Sequence, residues 1–281
     1  MLGGELKRTF SRALGWDRKE IDISEAGNLE AKILALGSKP AAIINCAAYN
    51  NVDGAEKEKD KAFLINATAV GNLANVCSKL DIPLVHFSTN YVFDGEKGEY
   101  NETDQPNPIS VYAQSKHEGE KLLQSNCIRY YLIRTSVLFG QEAESQYAKK
   151  SFIDVMLGLS EKTATIVPGS NDPVHGAAIK AVNDEINSLT YVADLAKAVE
   201  SLIVKKSPYG IYHITNSGQA SWFDFAKEIF SLTGKKVNLV PVKSSDFLRQ
   251  AKRPKKAVLL NTKLPQLRSW QEALKEFLMT K

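Results

Sequence analysis

Pro83–Ser88 reads PLVHFS, a short and nearly continuous apolar run that is typical of a strand buried on both faces. Two further runs have the same character, AIINCAA at Ala42–Ala48 and YYLIRT at Tyr130–Thr135. The segments Asp60–Leu80 and Tyr112–Ser125 carry apolar residues at three- and four-residue spacing, which predicts amphipathic helices. Because strands and helices alternate, we expect an α/β fold whose parallel sheet is covered by helices on both faces.

The rest of the chain continues this pattern. Gly210–Thr215 (GIYHIT) predicts another strand, and Val167–Ala178, rich in Pro, Gly and small residues, predicts a loop. Ser221 stands where a helix N-cap is expected, and Gly234 stands just after the last turn of the same helix. The further predicted helices are Tyr147–Ser160, Thr190–Val204, Ser221–Thr233, Ser244–Gln250 and Ser269–Met279.

The composition is that of a globular protein. Of its 281 residues, 43% are hydrophobic and 24% charged, so the chain can bury a core. The net charge of +4 is too small and dispersed to predict nucleic-acid or membrane binding, although it suits an anionic small molecule. No apolar run approaches the roughly 20 residues that span a bilayer. Three cysteines and four scattered histidines predict neither a disulfide framework nor a metal site, and we expect a cytoplasmic protein.

The sharpest chemical pattern is a tyrosine and a lysine four residues apart at the start of a predicted helix. Tyr112 and Lys116 project from one helix face, and an ammonium group near a phenol is expected to lower the tyrosine pKa. Such a tyrosine exchanges a proton with a substrate hydroxyl or carbonyl. Thr89 directly follows the strand predicted over Pro83–Ser88, and it is expected to hydrogen-bond the same substrate oxygen. The carboxyl ends of parallel strands are where ligands bind.

Longer motifs surround these residues and carry a family resemblance. They are NCAAYNNVDGAE, INATAVGNLA, HFSTNYVFDG, PISVYAQSKHEGE, LIRTSVLFG, LTYVADLA, YHITNSGQASWFDFAKEIF and the late pair Arg253-Pro254. In this order they resemble the dTDP-4-dehydrorhamnose reductase family of the extended short-chain dehydrogenase/reductases, over nearly the whole chain.

The resemblance implies a Rossmann-type domain, formed by residues 1–140 and 186–206, that binds NADPH or NADH. It also implies a smaller C-terminal substrate domain, formed by residues 141–185 and 207–281. The implied reaction is reduction of the 4-keto group of dTDP-4-dehydro-rhamnose to give dTDP-rhamnose for cell-envelope polysaccharide. We expect a dTDP-sugar as the partner molecule, with no nucleic acid, membrane or metal, and a homodimer as the assembly.

The resemblance also assigns roles to residues by position. The implied catalytic residues are Tyr112 as proton donor, Lys116 as its partner and Thr89 on the keto oxygen. The implied cofactor-binding residues are Gly3, Asp17, Asp22, Ile23, Ala47, Ala48, Tyr49, Asn50, Tyr112 and Lys116. The implied substrate-binding residues are Thr89, Asn90, Tyr91, Val137 and Arg253.

Four features depart from the family pattern. The family opens with a strand and a Gly-rich turn of the form G-x-x-G-x-x-G, which receives pyrophosphate at a helix N-terminus, whereas Met1–Gly3 corresponds only to its last glycine. We therefore expect a sheet without that first strand and with a shortened second one. Asn90 stands where the family usually has Asp, and Val137 where Trp is common. Val167–Ala178 is expected to be an insertion.

Alternatives remain at this stage. The chain is either a reductase, a non-catalytic homologue that binds a sugar nucleotide or NAD(P), or a related sugar-nucleotide epimerase. Asp17 favours NAD, while the adjacent Arg18 favours NADP. Arg253 lies in the basic run KRPKK and is either a diphosphate clamp or part of a solvated surface. His86 is expected to be a packed strand residue, and Asp53 either a substrate contact, a helix cap or a surface residue.

Overall fold

The computed structural model describes residues 1–142, 150–165, 174–175 and 178–281. A π-type segment at Leu64–Thr68 joins the fourth and fifth helices, and two short 3-10 turns lie at Asn90–Val92 and Ser244–Asp246. The described helices are α1 (Leu2–Thr9), α2 (Ala26–Leu34), α3 (Val52–Ala55), α4 (Lys59–Phe63), α5 (Ala69–Lys79), α6 (Val111–Asn126), α7 (Phe152–Thr163), α8 (Val192–Val204), α9 (Trp222–Thr233) and α10 (Trp270–Thr280).

The strands are short and fall into one central sheet and several smaller ones. In chain order they are β1 (Ile43–Asn45), β2 (Leu84–Thr89), β3 (Gly98–Tyr100), β4 (Tyr130–Thr135), β5 (Leu138–Phe139), β6 (Ala164–Thr165), β7 (Val174–His175), β8 (Ile179–Val182), β9 (Ile186–Asn187), β10 (Thr190–Tyr191), β11 (Gly210–His213), β12 (Asn216–Ser217), β13 (Ala220–Ser221), β14 (Leu239–Val242), β15 (Lys256–Leu259) and β16 (Leu267–Ser269).

The central sheet has four parallel strands in the order β1-β2-β4-β11. Side chains of β2 alternate between its two faces, as strand geometry requires. Leu84 packs in a core with α2, α5 and α6, whereas Val85 and Phe87 pack in a second core with α1 and α8. Helices therefore cover both faces, which confirms the predicted α/β fold with a parallel sheet.

Several local predictions are confirmed closely. The strand at Tyr130–Thr135 has the predicted bounds, and α6 differs from its prediction by one residue at each end. Ser221 caps α9 in a reciprocal capping box, and Gly234 ends the helix with a φ of 64°, a left-handed conformation that favours glycine.

The helix predicted over Ser244–Gln250 is wrong. Only the 3-10 turn at Ser244–Asp246 forms, because hydrogen bonds from other parts of the chain hold this segment in a non-helical path. Asp184 accepts from the Ser244 amide, and Asp53 accepts from the amides of Gln250 and Ala251. Amides that donate to these carboxylates cannot also donate to the carbonyl oxygens of a helix.

Two other predictions fall partly outside the described residues. The helix expected from Tyr147 is described only from Phe152 onward, and most of the predicted loop Val167–Ala178 lies in the ranges that are not described. Within that predicted loop, β7 pairs antiparallel with β6.

The second part of the chain has its own core and a second sheet in the order β13-β9-β15-β3. Helices α7, α9 and α10 supply much of that core, with Phe225 and Trp270 among its largest side chains. The predicted boundary at residue 207 needs correction, because β11 pairs with β4 in the central sheet. Helix α8 returns the chain to that sheet, as a parallel crossover requires. Strands β3 and β9, assigned by the prediction to the first domain, instead join the second sheet.

Helix α1 packs against α8, with Leu2 and Leu6 in the shared core. Gly3, expected to end a glycine-rich turn, lies in the first turn of α1. Residues 10–25 form turns and bends, where the prediction has a shortened strand. Of the helices in the described ranges, none is both long and apolar enough to cross a bilayer.

Candidate active site

The candidate site lies where β1, β2 and β4 end and where α6 begins. Ser110 caps α6 by accepting a hydrogen bond from the Ala113 amide, so the first turn of the helix presents Tyr112 beside the end of β2. Thr89 is the last residue of β2, and its hydroxyl lies close enough to the Tyr112 phenol to act against the rise in the pKa of Tyr112. The structure thus brings together the strand end and the helix start that the sequence pattern linked.

The ionisation of Tyr112 differs from the expectation. Burial raises the pKa of Tyr112 to about 12, and the hydrogen bond from Thr89 opposes this rise. The expected lowering by Lys116 is wrong for this state, since the Lys116 amine donates to the Phe87 carbonyl oxygen at 2.6 Å. The ring of Tyr91 meets Tyr112 edge-on, with centroids 6.3 Å apart, and completes one wall of the site.

Lys116 itself is buried on the inner side of α6. Its Nζ lies 3.3 Å from His86 Nε2, in addition to the contact with Phe87. Burial lowers the pKa of Lys116 to about 8, while the carboxylate of Glu120 acts in the opposite direction. A buried amine with so low a pKa is a feature of functional sites.

His86 is more than the packed strand residue that was expected. Its ring is buried, and Nδ1 lies 3.1 Å from Asn45 Nδ2. Asn45 in turn accepts a hydrogen bond from the Ala47 amide at 2.9 Å. A histidine within an apolar strand was the only sequence signal for this network.

The segment that follows β1 carries four of the expected cofactor residues. Ala47 and Asn50 are exposed, and Ala48 is half-buried. Tyr49 is buried, and its hydroxyl donates to the Glu58 carboxylate at 2.5 Å. Small, exposed residues at the carboxyl end of a parallel strand fit the close approach of a dinucleotide.

The other expected cofactor residues fall into two groups. A Cβ on Gly3 would be 3.7 Å from the Cys46 Cβ, so the start of α1 lies beside the end of β1, in a position that suits a phosphate. Asp17 accepts from the Lys19 amide, and Asp22 accepts from Ser24. Ile23 packs against the α2–α5 core.

No hydrogen bond or ion pair within the described ranges joins Asp17, Asp22 or Ile23 to the catalytic group. The structure therefore does not bring these three residues together with Tyr112.

On the substrate side, Asn90 makes contacts of its own within the protein. Its buried side chain donates both amide hydrogens to the second sheet, at 2.8 Å to Asn187 Oδ1 and 2.9 Å to the Ala257 carbonyl oxygen. Both donors are therefore engaged by the protein. Val137 adopts a positive φ of 37° at the turn after β4 and lines a small cleft with Trp222.

Arg253 is held in place by an ion pair that spans the chain. Its guanidinium donates to the Asp53 carboxylate at 2.6 and 3.1 Å, and its charge acts to lower the pKa of the neighbouring Tyr91. The side chain is largely buried, so it is not part of a solvated basic surface. Asp53 is neither a helix cap nor isolated, and no sequence signal linked residues 200 positions apart.

In the described part of the chain, no three His, Cys, Asp or Glu side chains lie close enough together to bind a metal ion.

A parallel sheet whose strand ends in a threonine, next to a helix that carries a tyrosine and a lysine four residues apart, defines a protein of the short-chain dehydrogenase/reductase class.

The family described as "RmlD substrate binding domain" matches residues 1–281. The chain belongs to this family, that of the dTDP-4-dehydrorhamnose reductases. It is 34% identical over 299 residues to the dTDP-4-dehydrorhamnose reductase of Aggregatibacter actinomycetemcomitans, covering 97% of this chain and 95% of that protein. It is also 34% identical over 245 residues to the spore coat polysaccharide biosynthesis protein SpsK of Bacillus subtilis, covering 85% of this chain and 79% of that protein.

Solved structures give the same result. The dTDP-4-dehydrorhamnose reductase of Clostridium acetobutylicum matches with a TM-score of 0.88 and 34% identity, covering 99% of this chain and 95% of that one. The Bacillus anthracis reductase in complex with NADP matches with a TM-score of 0.86 and 33% identity, covering 98% and 95% of the two chains. A UDP-glucose 4-epimerase from Thermus thermophilus shares the fold at 17% identity and a TM-score of 0.74, covering 99% and 95%.

Proposed function

We propose that this chain reduces the 4-keto group of dTDP-4-dehydro-rhamnose to give dTDP-rhamnose, with NADPH or NADH as the reductant. The observation that carries the proposal is the placement of Tyr112 beside Thr89 at the end of β2, with Lys116 one turn further along α6. The family relatives named as reductases support it, as does the NADP bound to the Bacillus anthracis relative.

The residues of the chain have distinct roles in this proposal. When bound, the cofactor supplies a hydride to the 4-keto carbon. Thr89 orients the keto oxygen, and Tyr112 donates its phenolic proton to that oxygen, which becomes the product hydroxyl. Because burial raises the tyrosine pKa, Tyr112 stays protonated and is ready to act as the acid.

The remaining residues are proposed to bind the cofactor and the substrate. The proposed cofactor residues are Gly3, Asp17, Asp22, Ile23, Ala47, Ala48, Tyr49, Asn50, Tyr112 and Lys116. On the substrate side, Arg253 and Tyr91 are proposed to meet the sugar nucleotide, since a guanidinium suits a diphosphate. Val137 is smaller than the Trp common in the family, and it is proposed to contact the sugar beside Trp222. We also propose a homodimer in the cytoplasm, with its domain division corrected for β11 as described.

The test is an NADPH- and NADH-oxidation assay with dTDP-4-dehydro-rhamnose, run on the wild-type chain, Tyr112→Phe and the control Tyr130→Phe. Tyr130 begins β4, outside the proposed site. We expect Tyr112→Phe to lose at least about 100-fold in kcat, because it removes the proton donor, and Tyr130→Phe to retain activity. Cofactor binding without turnover in the wild-type chain would favour the non-catalytic homologue, and C-epimerised product would favour an epimerase.

A further inference from the structure

A buried line of polar groups connects the segment after β1 to Lys116. The Ala47 amide donates to Asn45 Oδ1 at 2.9 Å, Asn45 Nδ2 lies 3.1 Å from His86 Nδ1, and His86 Nε2 lies 3.3 Å from Lys116 Nζ. Lys116 also donates to the Phe87 carbonyl oxygen at 2.6 Å. The three side chains are each at least 94% buried, with exposures of 6%, 1% and 2%, so water does not compete for these contacts.

The backbone amide at Ala47 sets the direction of every hydrogen bond in this line. An amide N–H only donates, so the Asn45 oxygen faces Ala47 and the Asn45 NH2 group faces His86. His86 Nδ1 is then an acceptor. A neutral imidazole with an acceptor at Nδ1 carries its hydrogen at Nε2, which points at Lys116. A neutral amine has a lone pair to accept that hydrogen, whereas an ammonium has none.

We propose that Asn45 and His86 are positioning residues that favour the neutral amine of Lys116 over its ammonium in the cofactor-free protein, and that they thereby set the alkaline limit of the pH range in which the site works. The proposal deepens the proposed reductase function and rests on it for its kinetic part only.

Charging Lys116 has a structural consequence in this arrangement. An ammonium needs an acceptor at His86 Nε2, so the ring hydrogen must move to Nδ1 and face Asn45. Asn45 must then turn its oxygen towards His86, which releases the Ala47 amide. The charge on Lys116 is thereby coupled to a backbone donor in the segment proposed to bind the cofactor.

The other charged groups near Lys116 leave both of its forms accessible. Glu120, one turn along α6, favours the ammonium, but its carboxylate is already paired with Arg134 of β4 at 2.7 Å. Burial lowers the pKa of Lys116 to about 8, and burial together with the lysine lowers the pKa of His86 well below its usual value. Tyr112 on the same helix is protonated. With the two forms so close in free energy, one hydrogen bond from His86 decides between them.

The first test reads the His86 tautomer directly in the cofactor-free protein. Two-bond ¹H–¹⁵N NMR spectra distinguish hydrogen at Nε2 from hydrogen at Nδ1, and the chain has only four histidines to assign. The His86→Gln variant identifies the signal by its loss. We expect the Nε2–H tautomer at about pH 9, where Lys116 with its pKa of about 8 is mostly neutral, and an Nδ1–H tautomer or a charged ring at that pH in the wild-type protein would overturn the proposal.

The second test reverses the direction of the hydrogen bond between residue 45 and His86. In Asn45→Asp, the carboxylate accepts from both the Ala47 amide and His86 Nδ1–H, so His86 should switch to the Nδ1–H tautomer. The control Asn75→Asp adds the same charge at an exposed position on α5 and should leave the tautomer unchanged. A folded Asn45→Asp protein that keeps the Nε2–H tautomer would overturn the proposal.

The third test uses the pH profile of kcat/KM, which reports groups in the free enzyme. Both Asn45→Asp and His86→Gln give Lys116 an acceptor for its ammonium, so we expect the alkaline limb to move up by about one pH unit. A uniform loss of activity with unmoved limbs in both variants means a structural role and contradicts the proposal. If the tautomers behave as expected but the wild-type chain does not reduce the sugar, the reductase assignment fails and the assignment of Lys116 stands.

Discussion

The ion pair between Asp53 and Arg253 joins two segments that lie far apart in the sequence. We expect Asp53→Asn to lower the free energy of unfolding measurably. The Asp53 carboxylate accepts two hydrogen bonds from Arg253 and one each from the amides of Gln250 and Ala251. The amide of asparagine keeps one acceptor oxygen but loses the charge and half of the paired geometry. The guanidinium would then be left without its counter-charge.

The size of the effect follows from the ionisation of Asp53. Arg253, together with the amides of Ala251 and Gln250, lowers the pKa of Asp53 from 3.8 to about 2 against the effect of burial, which corresponds to about 2.5 kcal/mol at 1.36 kcal/mol per unit. Because the Asp53 side chain is 41% exposed, solvent screening reduces this to about 1 kcal/mol. Because the pKa of Asp53 is lower in the folded than in the unfolded protein, its carboxylate stabilises the fold at pH values above about 4. This contribution is lost as the pH falls towards 2.

The measurement is a double-mutant cycle by urea unfolding at pH 7 with Asp53→Asn, Arg253→Gln and the double variant. We expect a coupling free energy of about 1 kcal/mol. Glu96→Gln is the matched control, since Glu96 is an exposed carboxylate without an ion pair among the described residues, and it should change stability by less than about 0.5 kcal/mol. A coupling of zero would refute the reasoning, because it would mean that the ion pair contributes nothing beyond its separate residues.

Three further changes test how the fold is held together, each by urea or thermal unfolding. Glu120→Gln leaves the Arg134 guanidinium buried without its partner and should cost about 3 to 5 kcal/mol; a loss below about 1 kcal/mol would contradict a buried pair. Ser221→Ala removes the capping box of α9 and should lower the free energy of unfolding by about 1 kcal/mol; unchanged stability would mean that the cap does not stabilise the helix. Gly119→Ala should destabilise by about 1 to 3 kcal/mol, because its Cβ would lie 2.0 Å from the Asn66 carbonyl oxygen. Helix propensity alone predicts the opposite, a gain in stability of about 1 kcal/mol. The sign of the measured change therefore distinguishes the steric contact with Asn66 from helix propensity.

Local pattern predicted those parts of the fold whose causes are local. The strand at Tyr130–Thr135 and helix α6 follow from a continuous apolar run and from helical spacing, and Ser221 follows from cap chemistry. The helix predicted over Ser244–Gln250 failed because Asp53, far away in sequence, binds the backbone donors at its end. Helical spacing does not encode such a partner.

The site shows the same division. The sequence placed Thr89 and Tyr112 together because parallel strands end at one edge, and the influence of Thr89 on the pKa of Tyr112 agrees with that placement. It did not predict the raised pKa of Tyr112, because burial depends on side chains from several elements. The four-residue spacing of Lys116 was also insufficient, because the amine turns towards the Phe87 carbonyl and His86, both on the neighbouring strand.

The buried amide of Asn90 has a consequence for how the central sheet and the second sheet are held together. An aspartate at that position would direct a carboxylate at Asn187 Oδ1 and at the Ala257 carbonyl oxygen, two acceptors that now receive hydrogens. In Asn90→Asp, the Asn187 amide would have to invert so that its NH2 group faces the new carboxylate, and the Ala257 carbonyl oxygen would lose its donor. The residue next to Thr89 therefore fixes how the second sheet is joined to the end of β2.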